Sequence, residues 1–99
     1  MPGSYDDADE LSIRFSYGDP EIIERLYQEH KPAISRHVAL LTSDPVHTEV
    51  ILREVHLRVW WSAHRYEVDK SSLYRWILTI ADQTAKAYLE AQGNSTHQP

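Results

Sequence analysis

Asp44-Pro45-Val46-His-Thr-Glu-Val-Ile-Leu-Arg-Glu-Val-His-Leu-Arg-Val-Trp-Trp61 reads as a single helix. Asp44 supplies an N-cap acceptor and Pro45 suits the first helical position, where a missing N–H costs nothing. Thr48, Ile51, Leu52, Val55, Val59 and Trp60 recur at the i, i+3, i+4, i+7 spacing of a core-facing stripe. Val50, Leu57 and Trp61 fall nearly opposite, with Val46 nearby and Glu49, Arg53, Glu54 and Arg58 beside them. A helix of a small domain needs one apolar face. The second, rimmed with charge, must be covered by another part of the chain or by a partner.

The remaining chain supplies helices to pack on the first stripe. Gly18-Asp19-Pro20-Glu21 repeats the cap-plus-proline start. Ile22, Ile23, Leu26, Tyr27, Ala33, Ile34, His37, Val38 and Leu41 continue as one stripe. Pro32 lies within it, and its missing donor and ring clash predict a break or kink near Glu29 to Lys31. After a polar loop, His64 to Lys70, Ser71 or Ser72 caps a last helix from Leu73 to about Gln92. Its stripe is Leu73, Trp76, Ile77, Ile80, Ala81, Thr84, Ala87 and Tyr88, and Gly93-Asn94 reads as its stop. Leu11, Ile13, Phe15 and Tyr17 alternate with polar residues, but an isolated strand has no neighbour to pair with. They read instead as an extended arm or short helical turn that docks aromatics on the bundle. The fold class is therefore all-α, a small three- to four-helix bundle. Residues 1–17 are expected to form a flexible acidic arm, 18–92 the helical domain, and 93–99 a tail or the start of a linker.

Composition narrows the function. The 99 residues suit one small domain, and the absence of cysteine excludes disulfides and thiolate chemistry and fits a reducing, cytoplasmic setting. No stretch is long and apolar enough for a membrane span. The net charge of -5 is an unfavourable global balance for phosphate contact, though a local basic patch is compatible with it. Of the six histidines, His30 and His37 flank Pro32, and His47 and His56 are too far apart for an i, i+4 ligand pair. Neither a metal nor another cofactor is expected. No carboxylate pair or nucleophile–base spacing marks an enzyme. Arg65, Tyr66, Lys70, Tyr74, Arg75 and Lys86 bring cations and aromatics together, a mixture that suits a single strand, with aromatics for bases and cations for phosphates. The competing reading is a solvated helix face diluted by Asp82 and Glu90.

Three segments carry a family resemblance. Leu26-Tyr27-x-Glu29-His30-x-Pro32-Ala33-Ile34-x-Arg36, followed by Leu41-Thr42-x-Asp44-Pro45, resembles the opening helices of region 2 in RNA polymerase sigma factors of the extracytoplasmic-function group. Glu49 and Leu52-Arg53-Glu54-Val55-x-Leu57-Arg58-Val59-Trp60 resemble its second helix. Ser72-Leu73-x-x-Trp76-Ile77-Leu78-Thr79-Ile80-Ala81 resembles the third. The resemblance covers roughly residues 16 to 92, with the motifs in the family's order.

That resemblance implies transcription initiation by a monomer with two contact surfaces. One, formed by Glu49, Val50, Arg53, Glu54, Leu57 and Trp61, meets the β′ coiled coil of core RNA polymerase. The other, formed by Arg65, Tyr66, Lys70, Ser71, Ser72, Arg75, Thr79, Gln83 and Lys86, meets the non-template strand of the promoter minus-ten region. An anti-sigma factor is a further expected partner. The chain departs from the family pattern at Val50, where an acidic residue is usual, and at Arg53, where glutamine is usual. Asp82, Gln83, Ala87 and Glu90 replace the usual Arg-Asn and basic run, which weakens phosphate attraction. The alternative expectation is a degenerate interaction module that binds a protein regulator without DNA.

Overall fold

The computed structural model describes residues 3–96, with side-chain surroundings for residues 10–93. The described residues form four α-helices and no strand: α1 (Gly3–Ser16), α2 (Pro20–Thr42), α3 (Pro45–Ser62) and α4 (Leu73–Thr96), with a 3-10 turn at Ala63–Arg65. None of these helices is long and apolar enough to cross a membrane.

α2, α3 and α4 pack against one another, and α1 lies against α2 and the 3-10 turn. The stripe of α3 lies at the centre: Ile51, Val55 and Val59 are fully buried, against Ile23, Tyr27, Ile34 and Val38 of α2 and Ile77, Ala81 and Ala85 of α4 in one cluster. The expected spare face stays outside. Val46, Val50, Leu57 and Trp61 are exposed, Trp61 to 73%.

Local chemistry sets the helix ends. Asp19 accepts from the Glu21 and Ile22 amides, and Asp44 from the Val46 amide at 2.9 Å. Each cap precedes a proline at the first helical position. α1 ends in a Schellman arrangement: Gly18 sits at φ +84°, its N–H reaches the Phe15 carbonyl, and the Asp19 N–H reaches that of Arg14. The Arg14 guanidinium also binds Asp19 at 2.9 Å. The cap of α2 is thereby tied to the preceding helix.

Three places where the sequence leaves room are decided by packing. The arm expected over residues 1–17 is helical from Gly3 to Ser16. Its apolar residues look alternating, but Leu11 and Phe15 are also i, i+4, and those two turn inward while Ile13 and Tyr17 stay exposed. At Pro32, of the expected break or kink, no break occurs: α2 is one continuous helix from Pro20 to Thr42. Pro32 and Gln28 both face solvent, so water can reach the carbonyl deprived of its donor, while buried Tyr27 and Ile34 hold both sides to the core. Gly93-Asn94 does not stop α4, which continues to Thr96. A helical glycine costs only about 1 kcal/mol relative to alanine, too little to end a long helix by itself. Residues 97–99 of the expected tail lie outside the described residues.

Candidate functional site

The outer face of α3 and the segment from the 3-10 turn into α4 meet at one end of the bundle. Glu49, Val50, Arg53, Glu54, Leu57 and Trp61 are all exposed on α3. Glu49 and Arg53 border a groove toward α2 that Lys31 and His56 also line. Val50 and Glu54 border a groove toward α4, opposite Thr84, Ala87 and Tyr88. Glu54 binds Arg58 one turn on, at 3.0 Å. The six predicted residues thus share one surface, with apolar Leu57 and Trp61 between charged neighbours. Such anchors within a polar rim suit protein docking.

Beneath this surface, Glu24 of α2 ties α2 to α3. Its carboxylate accepts from Trp60 Nε1 at 3.2 Å and from Gln28 Nε2 at 2.9 Å, with His56 Nε2 also 2.9 Å away. The hydrogen bonds from Gln28 and then His56 hold the Glu24 carboxyl below its ordinary pKa. The His56 ring stacks on Tyr27 with centroids 4.2 Å apart, and the Tyr27 hydroxyl donates to the Leu52 carbonyl. Burial, followed by the Glu24 charge, pushes the Tyr27 phenol up to about 12. None of these contacts was legible as a motif, because Glu24 and Trp60 are far apart in sequence. They fix the side of α3 from which the exposed face projects.

The second predicted set is less uniform. Arg65, Lys70, Arg75, Thr79, Gln83 and Lys86 are exposed. Arg65 and Gln83 share a cleft of about 410 Å3 with Arg58, Trp61, Ser62, Trp76 and Ile80, so the cleft joins a residue of the α3 surface to residues of the loop and α4. Arg58, Trp76 and Ile80 were outside both predicted sets. Their membership follows from the crossing of α3 and α4, which only packing reveals. Lys86 lies elsewhere, in the groove between the end of α2 and α4 with Leu41, Leu89 and Glu90.

Two residues of this set have structural duties. Ser72 is the cap of α4, its hydroxyl accepting from the Arg75 amide at 3.2 Å. Tyr66 is only 5% exposed and packs against Phe15 and Trp76, while its hydroxyl donates to the Ser71 carbonyl. Its ring is covered by protein rather than offered to a base. On α4, Arg75 and Lys86 alternate with Asp82 and Glu90, and the Asp82 carboxylate lies 2.5 Å from His37 Nε2. The described residues contain no cluster of three or more potential metal ligands.

The described residues thus form a helical bundle with an exposed charged-and-apolar face on α3 and, beside it, a cleft lined by Arg58 and Arg65. The Sigma-70 region 2 family matches residues 26–95. The chain therefore belongs to that family. It is 28% identical over 91 residues to "ECF RNA polymerase sigma factor SigK" of Mycobacterium ulcerans (strain Agy99), covering 92% of this chain and 49% of that protein. It is 27% identical over 85 residues to a protein of the same name from Mycobacterium sp. (strain KMS), covering 86% of this chain and 44% of that one. The chain thus spans about half the length of the curated relatives it matches. No solved structure matches significantly.

Proposed function

We propose that this chain acts in transcription initiation as region 2 of a sigma factor. Its α3 face docks on the β′ coiled coil of core RNA polymerase. The loop after α3 and the outward side of α4 meet the non-template strand of the minus-ten region. The observation that carries this reading is the outward face of α3. Leu57 is 46% and Trp61 73% exposed, beside a stripe on the same helix that is buried to 0% at Ile51, Val55 and Val59. No packing demand of the domain explains that second face, whereas a partner helix pair does. The family match and the relatives' names support RNA polymerase as the partner.

The strand-contacting half rests on Arg65, Lys70, Arg75, Thr79, Gln83 and Lys86, with Ser71, Ser72 and Tyr66 shaping the loop that carries them. The test is co-purification with core polymerase. Leu57→Asp places a charge at the centre of the docking face without entering the core, and is expected to abolish capture while leaving helicity unchanged. Capture unaffected by Leu57→Asp removes the docking assignment.

The alternation of Arg75 and Lys86 with Asp82 and Glu90 favours a second reading, an interaction module that binds a protein regulator such as an anti-sigma factor without DNA. Opposite charges interleaved on one face largely cancel beyond a Debye length of about 10 Å. A non-template oligonucleotide that binds no better than a scrambled one at low salt would support this alternative.

A further inference from the structure

α1 lies outside the span matched by the family, yet it reaches into the loop between α3 and α4. Its last inward side chain, Phe15, is fully buried. The Phe15 ring meets Tyr66 edge-on with centroids 5.9 Å apart, and Trp76 edge-on at 5.8 Å. Tyr66 and Trp76 are themselves 5.5 Å apart, so each of the three rings contacts the other two. Tyr66 follows the 3-10 turn, and Trp76 is in the first turn of α4. Phe15 therefore bridges the two ends of the loop from a third element.

The loop is closed from inside as well. The Tyr66 hydroxyl donates to the Ser71 carbonyl at 2.9 Å, the Lys70 amide to Glu67 and the Tyr66 amide to Ala63. Each exposed cation near the loop adjoins one of these held residues: Arg65 precedes Tyr66, Lys70 precedes Ser71, and Arg75 precedes Trp76. Cations on a fixed backbone lose less conformational freedom when they meet a strand than cations on a loose one.

We propose that Phe15 is a positioning residue for this loop, holding Arg65, Lys70 and Arg75 in their binding arrangement through the Phe15–Tyr66–Trp76 ring cluster. α1 then sets strand affinity without touching the strand. The inference rests on the reading of the loop as nucleic-acid-contacting.

The test compares the full chain with Phe15→Ala, Phe15→Leu and Tyr66→Phe. Two readouts are amide hydrogen exchange and binding of a fluorescein-labelled single-stranded DNA pool at low salt. Phe15→Ala should accelerate exchange at the Tyr66 and Lys70 amides more than in the middle of α2 and α3, and weaken strand binding about tenfold. Phe15→Leu, which refills most of the volume, should recover more than half of that loss. Tyr66→Phe severs the link to Ser71 while keeping the ring, and should weaken binding about threefold with helicity intact. It keeps the test decisive if Phe15→Ala fails to fold. Exchange that rises equally in α2, α3 and the loop would make Phe15 ordinary core and overturn the proposal. So would unchanged affinity in all three variants of a chain whose wild type binds. A wild type that binds no strand instead defeats the reading of the loop itself.

Discussion

Replacing Glu24 by glutamine probes the link that fixes α3 on α2. Glutamine keeps the size and one acceptor oxygen but removes the charge that Trp60, His56 and Gln28 share. Charge-assisted hydrogen bonds are roughly twice as strong as neutral ones, and a fully buried one contributes about 1.5–3 kcal/mol. The Glu24 side chain is 44% exposed, so water and screening offset much of this. The expected destabilisation is about 1 kcal/mol, or a fall of roughly 4–8 °C in melting temperature for a domain of this size. The loss should depend on pH. The folded state holds the Glu24 carboxyl below its ordinary value of 4.5. The unfolded chain therefore takes up the proton first as pH falls, and the contribution of Glu24 is complete above about pH 4.5 and declines below it. Thermal melts of both proteins from neutral to acid pH provide the assay. The wild-type advantage should be present at neutrality and shrink as the pH falls below about 4.5. Equal melting temperatures at neutral pH, or a gap that persists undiminished well below pH 4.5, would refute the assigned role of Glu24.

Other substitutions probe single features. Gly18→Ala meets no atom within 4 Å, so its cost arises from the left-handed φ of +84°, and denaturant unfolding should show a loss of about 1–2 kcal/mol. Thr84 is buried with its hydroxyl unpartnered among the described residues, so Thr84→Val should leave stability unchanged or raise it by about 1 kcal/mol in the same assay. On the outward side of α4, Glu90→Lys should tighten binding of single-stranded DNA and steepen its salt dependence by about one unit of slope in a log–log titration. An unchanged slope would remove Glu90 from the strand-facing side.

Features that depend on near neighbours in the chain were legible without the fold. Asp19-Pro20 and Asp44-Pro45 start helices because a carboxylate two or three residues back reaches the first amides whatever lies around it. The two faces of α3 were legible because helical periodicity alone separates Ile51, Val55 and Val59 from Val50, Leu57 and Trp61. The face left over by the core stripe is the one left exposed. Pro32 was legible as a strain but not as an outcome, since its tolerance depends on solvent at Gln28 and on core anchors to either side. The short run from Leu11 to Tyr17 fits both periods, and only contact with the bundle selects the helix that buries Phe15.

The helical class, the starts of α2, α3 and α4, and the spare face on α3 all follow from chemistry within a turn or two, and so are written in the chain order alone. Which polar and aromatic groups meet depends on how the helices pack. Glu24 gathers His56 and Trp60 from another helix, Arg58 and Gln83 line one cleft, and Tyr66 packs against Phe15 and Trp76. Side chains so distant along the chain become neighbours only when the helices cross. A tyrosine next to an arginine in a loop looks the same whether its ring faces a nucleic acid or a phenylalanine from the first helix.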